Sequence, residues 1–112
     1  MIHWKELTNL AQLDNIDDAS ITQPILIFKH STRCSISRMA LKRFEHEYDI
    51  EPADLQCYFL DLLNHRDISN EIARHWNIQH QSPQTLLIKD KKVVAHSSHD
   101  DIDANETKSL LS

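Results

Sequence analysis

Cys34 lies within the stretch ILIFKHSTRCSISRMALKRF, residues 25–44, and the residues around it are the ones best suited to chemistry. Lys29, Arg33, Arg38, Lys42 and Arg43 fall in this stretch, with no Asp or Glu among them. In a chain of formal net charge -5, that is a local island of positive potential around a thiol. Surroundings of this kind lower thiol pKa values from about 8.5 to roughly 3.5–7.5, and the thiolate is the nucleophilic form. Cys34 therefore reads as a reactive thiolate, able to attack a disulfide sulfur. Ser37 follows one helical turn later, on the same helix face. Its hydroxyl can donate a hydrogen bond to a thiolate or serve the helix end, but it cannot resolve a mixed disulfide. Release of a captured group then needs a second thiol from elsewhere, which is monothiol exchange. His30 flanks the thiol four residues upstream, and Thr32 and Arg33 form the turn between them. Arg33 and Arg38 are either plain solvated charges or partners for a substrate carboxylate.

The elements that must position these groups can be read from apolar spacing. Ile25-Leu26-Ile27-Phe28 is a run expected of a strand buried on both faces. After the polar turn, Ile36, Ala40 and Phe44, with Met39, Leu41 and Tyr48 beside them, adopt helical spacing. This predicts a helix from Cys34 to about Tyr48 or Asp49, with Pro52 marking the break. The thiol is thus expected at a helix N-terminus, where free N–H groups and the dipole favour an anion. Upstream, a short edge strand near Trp4 and a helix ending at Asp14 or Ile16 are expected, followed by a linker to Pro24. Downstream, Leu55 to Leu63 reads as a strand. His65 to Asn77 reads as a helix with Ser69 as its cap and Ile72, Ala73 and Trp76 on its apolar face. A polar loop from Gln79 to Gln84 precedes a strand at Thr85–Lys89, a turn at Lys91-Lys92, a strand at Val93–His96 and a C-terminal helix. The order predicts an α/β layer structure with the first strands parallel and the last pair antiparallel. Sites in such sheets lie at the carboxyl ends of strands, and Cys34 sits just past one.

Composition narrows the classes. A chain of 112 residues, 40% apolar and 26% charged, suits a single domain over residues 1–112 with a modest core. No apolar run approaches a membrane span, and the opening MIHWKELTNL is polar where a signal peptide needs an apolar core. A cytoplasmic location is the resulting expectation, with no membrane partner. The acidic balance gives no reason to expect nucleic acid. Glycine is absent, which excludes glycine-dependent phosphate loops and dinucleotide fingerprints. Two cysteines do not make a disulfide framework. Cys57, amid Tyr58, Phe59 and Leu60, reads as an inert strand cysteine, with a resolving partner for Cys34 as the alternative. The spacings His30-x-x-x-Cys34 and His96-x-x-His99 are conceivable for metal ligands, but no Cys-x-x-Cys accompanies them and no metal site is expected.

The strand–Cys–helix order, Ser-Pro before a later strand, and the closing hairpin and helix resemble the thioredoxin fold. More narrowly, FKHSTRCSIS with HQSPQ and LLIKDKKVVAHSSH is similar to the monothiol bacilliredoxins of the YtxJ-like group, over nearly the whole chain. The resemblance implies a thioredoxin-like fold with a central mixed sheet of four to five strands flanked by helices. It implies a role in bacillithiol redox chemistry, with bacillithiol as co-substrate, no bound cofactor, and bacillithiolated client proteins as partners. It also implies that Ser82-Pro83 is a cis bond packed against the active cysteine. The catalytic candidate is Cys34, and the thiolate-stabilising or substrate-binding candidates are His30, Thr32, Arg33, Ser37, Arg38, Ser82 and Pro83. One departure from the better-known Cys-x-x-Cys pattern is Ser37 in the second position. Two other classes compete: a peroxide-reactive cysteine, and a non-catalytic thioredoxin-like adaptor or iron–sulfur carrier. Peroxide kinetics and an absorption spectrum after cluster reconstitution would separate them.

Overall fold

The structure, a computed structural model, describes residues 2–111. A short strand β1 (Lys5–Glu6) leads to helix α1 (Ala11–Ala19), strand β2 (Ile25–His30), helix α2 (Ser35–Glu47), strand β3 (Gln56–Asp61) and helix α3 (Arg66–His75). Strands β4 (Gln84–Lys89) and β5 (Lys92–Ser98), a 3-10 turn at His99–Asp101 and helix α4 (Ala104–Ser109) follow. The five strands form one mixed sheet in the order β1-β3-β2-β4-β5. β1 and β2 both pair with β3 in parallel, while β2–β4 and β4–β5 are antiparallel. The α/β architecture, the parallel first strands and the antiparallel last pair agree with the sequence reading.

β2 lies at the centre of this sheet and is buried along its whole length. Its alternating side chains feed two cores. Ile25 and Ile27 pack with Leu13 and Ile16 of α1, Ile68 and Ile72 of α3, and Leu86 and Ile88 of β4. Leu26 and Phe28 pack with Ala40 and Phe44 of α2 and with Ile102 and Ala104. The last two residues of the strand continue the alternation, so Lys29 is delivered to the first face and His30 to the second.

Several boundaries differ from expectation for identifiable reasons. α1 runs to Ala19 rather than ending at Asp14 or Ile16. The polar residues that suggested a linker lie mostly on its solvent side, and Asp17 is tied to α3: its Oδ2 pairs with His75 Nε2 at 2.6 Å and its Oδ1 accepts from Trp76 Nε1 at 2.9 Å. Ser69 is not the cap of α3, whose N-cap residue is His65; it is buried one turn inside, facing His80. α3 ends with Asn77 in the left-handed region (φ 55°) and the Ile78 N–H donating to the Ala73 carbonyl, a Schellman closure made without glycine. The hairpin turn is at Asp90 and Lys91, both with positive φ, rather than at Lys91-Lys92. Ser20, just after α1, holds it, accepting from the Asp90 N–H on its carbonyl (2.9 Å) and from the Lys91 N–H on Oγ (2.8 Å). β5 extends beyond the expected Val93–His96 at both ends.

Lys29 is 1% exposed, with Nζ 2.6 Å from His80 Nδ1 and 3.3 Å from Gln84 Oε1. Burial disfavours its ammonium and brings its pKa down from 10.5 to about 8. The folded chain releases this proton near pH 8 and the unfolded chain near 10.5, so folding expels a proton between those values and stability rises with pH. The stability of wild type minus that of Lys29→Met should therefore climb by about 2–3 kcal/mol from pH 8 to 10.5 in urea melts. A flat difference across that window would show that Lys29 is solvated.

Candidate active site

β2 ends at His30, and the chain turns through Ser31, Thr32 and Arg33 into Cys34. The Cys34 N–H donates to the Ser31 carbonyl at 3.2 Å, and its own carbonyl accepts the Arg38 N–H at 3.0 Å. Cys34 is thus the N-cap residue of α2, in extended conformation (φ -106°, ψ 121°), and its side chain makes no capping bond. It is half-buried, at the positive end of a helix of 13 residues. The expected helix-start cysteine is present.

The helix packs through Ala40 and Phe44 as its apolar spacing suggested, but with Ser37 in place of Ile36. Ile36 is 51% and Met39 68% exposed, while Ser37, Ala40 and Phe44 face the core. Ser37 is fully buried. Its Oγ accepts the Ser31 N–H at 3.0 Å and stands 2.7 Å from His30 Nδ1. Burial holds the His30 pKa below its ordinary value; Asp61 and Glu45 pull it up and Arg38 pushes it down, more weakly. A neutral imidazole fits this geometry when Ser37 donates its hydroxyl proton to Nδ1, leaving the N–H at Nε2, an assignment by hydrogen-bond logic. The sequence left Ser37 to serve the helix end or meet the thiolate; its hydroxyl instead bonds to His30 and Ser31, at the end of β2 and in the turn after it. Its hydrogen bonds tie the end of β2 to the first turn of α2.

The basic island divides. Lys29 lies on the opposite face of the sheet, bound to His80 and Gln84, so it is not placed to meet a substrate carboxylate beside the thiol. Arg43 turns away, donating from Nη2 to the Ile102 carbonyl at 3.2 Å. Arg33, Arg38 and Lys42 remain exposed. Arg38 folds back over the turn, its Nη1 donating to the Thr32 carbonyl at 3.1 Å.

Ser82-Pro83 is a cis peptide. The antiparallel register pairs Lys29 with Gln84, so Pro83 falls one step further, at the end of the sheet where β2 runs out toward Cys34. Pro83 is buried and its carbonyl accepts the His99 N–H at 3.2 Å; Ser82 Oγ is buried with no hydrogen-bond partner. Asp61, which the sequence reading passed over, is in parallel register with His30. One of its oxygens accepts from Asn64 Nδ2 at 2.8 Å and the other is buried without a partner. The signal for it was an acidic residue closing the apolar run CYFLD at a carboxyl strand end.

Cys57 is far from this cluster. It pairs in register with Leu26, four residues before His30, or roughly 13 Å back along the strand. It is 3% exposed and lies 3.4 Å from the Tyr48 hydroxyl, and burial pushes its thiol up to about 11. This position suits the inert strand cysteine and not a resolving partner for Cys34. Among the described residues, the donor atoms grouped closely enough for a metal ion are those of Asp14, Asp17 and His75, not His30, Cys34, His96 or His99. Both Asp17 oxygens in that group are already taken by His75 and Trp76.

A thiol near 11 carries a few hundred-fold less thiolate at pH 7.5 than an ordinary cysteine. With iodoacetamide at that pH, Cys34 should be alkylated at least about 100-fold faster than Cys57, as read by peptide mass spectrometry. Comparable rates at the two positions would contradict the placement of both thiols.

The comparisons with known proteins converge on one group. A solved protein described as having a thioredoxin fold is 25% identical and superposes with a TM-score of 0.81 over 97% of this chain and 94% of its own. The thioredoxin Mala s 13 of Malassezia sympodialis is 13% identical, with a TM-score of 0.74 over 99% of this chain and 90% of its own. Fasciola hepatica thioredoxin is 15% identical, with a TM-score of 0.70 over 96% and 95%. The fold is therefore that of thioredoxin. The family model described as monothiol bacilliredoxin BrxC matches residues 5–107. With its fold and this match in agreement, the chain belongs to the monothiol bacilliredoxin family and has a thiol–disulfide redox function.

Proposed function

We propose that this chain removes bacillithiol from S-bacillithiolated proteins through Cys34 alone. The observation that carries the monothiol part is the half-buried thiol of Cys34 at a helix N-terminus, with no second thiol in reach. Ser37 stands where a resolving cysteine would, its hydroxyl committed to His30 and Ser31, and Cys57 is buried toward the other end of the strand. In the first step the Cys34 thiolate attacks the bacillithiol sulfur of the client's mixed disulfide. A new S–S bond forms to Cys34 and the client leaves as its thiolate. In the second step the thiolate of another bacillithiol molecule attacks that sulfur, giving bacillithiol disulfide and regenerating Cys34. The exchange needs no internal electron acceptor and no bound cofactor.

His30 and Ser37 act as positioning residues, fixing the turn that presents the thiol. Thr32, Arg33 and Arg38, on the exposed side of that turn, are the groups for substrate contact, with Ser82-Pro83 at the same end of the sheet, just before β4. The partners are bacillithiolated client proteins and the low-molecular-weight thiol, with neither nucleic acid nor membrane involved. No helix among the described residues is long and apolar enough to cross a membrane. A cytoplasmic setting, where a reducing thiol pool is available, suits the second step.

Incubation with a bacillithiolated client should transfer bacillithiol to the Cys34 peptide, detected by intact and peptide mass. Cys34→Ser should abolish the transfer and Cys57→Ser should leave its rate unchanged. Accumulation of a persistent Cys34 adduct in Cys57→Ser but not in wild type would make Cys57 the resolving thiol. Equal or faster turnover of a glutathionylated client would overturn bacillithiol as the small thiol while leaving monothiol exchange in place.

A further inference from the structure

A surface groove of about 510 Å³ runs along the outer side of α2, beginning at Ser35, the residue after Cys34. His30 lies at its inner side, and Arg38, Met39, Lys42 and Glu45 line its length. We propose that this groove is the subsite for the carboxylate-bearing part of the small thiol, with Arg38 and Lys42 as its anion contacts. The inference rests on the proposed function for the reaction and adds to it where the ligand lies.

Helix geometry gives the first support. Arg38 and Lys42 stand four and eight residues after Cys34, on one face, roughly 6 and 12 Å along the axis. A small thiol joined to Cys34 would extend along this face from its sulfur and meet the two cations in turn. The second support is availability. Among the described residues, neither cation belongs to an ion pair. Arg38 spends one N–H on the Thr32 carbonyl, which orients the guanidinium and leaves the remaining donors for a carboxylate. The third is contrast with the rest of the molecule. The net charge of -5 disfavours an anion over most of the surface, so two unpaired cations beside the thiol form a local attraction. His30 contributes no positive charge near neutral pH, because burial lowers its pKa, so the attraction for an anion rests on Arg38 and Lys42.

Glu45 is the opposing charge in the groove, and its field reaches His30. Its Oε2 accepts the Trp4 indole N–H at 2.8 Å, which fixes a carboxylate just beyond Lys42. An anionic ligand in the groove is therefore drawn by Arg38 and Lys42 and opposed by Glu45. Met39, 68% exposed, supplies an apolar wall along the way. In the step itself the Cys34 thiolate bonds to one sulfur of a symmetrical disulfide, and the other half leaves as thiolate.

The test compares three disulfides, those of bacillithiol, glutathione and uncharged mercaptoethanol, in their rates of forming the Cys34 adduct. Wild type, Lys42→Glu and Glu45→Gln are measured at low salt and at 0.5 M salt, on the order of a 5 Å screening length. Lys42→Glu should lower the ratio of the bacillithiol rate to the mercaptoethanol rate by about tenfold, and Glu45→Gln should raise it severalfold. High salt should erode the wild-type preference. If wild type prefers bacillithiol disulfide but neither substitution moves the ratio, the groove assignment is overturned and the exchanger stands. If wild type prefers glutathione disulfide and Lys42→Glu removes that preference, the groove stands and bacillithiol falls as the natural thiol. Equal changes for charged and uncharged disulfides would show a structural effect and overturn the groove.

Discussion

The Ser37 hydroxyl joins three parts of the molecule that otherwise have no reason to keep a fixed relation. It accepts the Ser31 N–H where β2 ends, it reaches His30 on the last pleat of that strand, and it belongs to the first turn of α2. Ser37 and His30 are buried and Ser31 half-buried, so the cost of leaving a buried member unpaired, about 1–3 kcal/mol for a neutral group, favours one geometry of the turn. Cys34 lies inside that turn. Its position at the helix N-terminus follows from a hydrogen-bond requirement of its neighbours and not from any bond of its own side chain. A serine where dithiol proteins carry a second cysteine therefore has two consequences. It removes the internal resolving thiol, and it puts a strong acceptor where the strand end needs one.

The same alternation that builds the two cores also sorts the charges. β2 carries Lys29 to the face of α1 and α3, under the loop before β4, where His80 and Gln84 receive it. It carries His30 to the face of α2, beside the thiol. What remains on the open side of α2 is Arg38 and Lys42, with Arg33 in the turn. A cluster of five cations in sequence becomes three near the thiol and two elsewhere. Electrostatic help for a thiolate or an anionic substrate must come from those three and from the helix end.

Much was legible in the residues themselves. A continuous apolar run followed by a polar turn, a cysteine and a helical pattern can be satisfied by a strand entering a helix with the thiol at the junction, and that is the structure. Ser-Pro ahead of a strand, the final hairpin and the absence of a second nearby cysteine were local facts as well. These features depend on periodicity and on backbone rules that act over a few residues, so they survive without knowledge of the rest of the fold. The family resemblance rested on the same short stretches, and the match over residues 5–107 agrees with it.

What tertiary structure alone decided were partners distant in sequence. Ile36 and Met39 looked like core and are exposed, because the helix meets the sheet through Ser37, Ala40 and Phe44, and a buried serine is acceptable only when a strand end supplies its bonds. Asp17 looked like linker and is helix, because His75 and Trp76, far along the chain, take both its oxygens. Lys29 looked like part of the site and belongs to the other core, since strand pleat assigns faces by parity and only the packed sheet shows which face holds which helix. The thiol, its helix and the missing resolving cysteine were written in the local sequence. Which charges surround that thiol was not, because a side chain's neighbours across a sheet are fixed by pairing and packing over the whole chain.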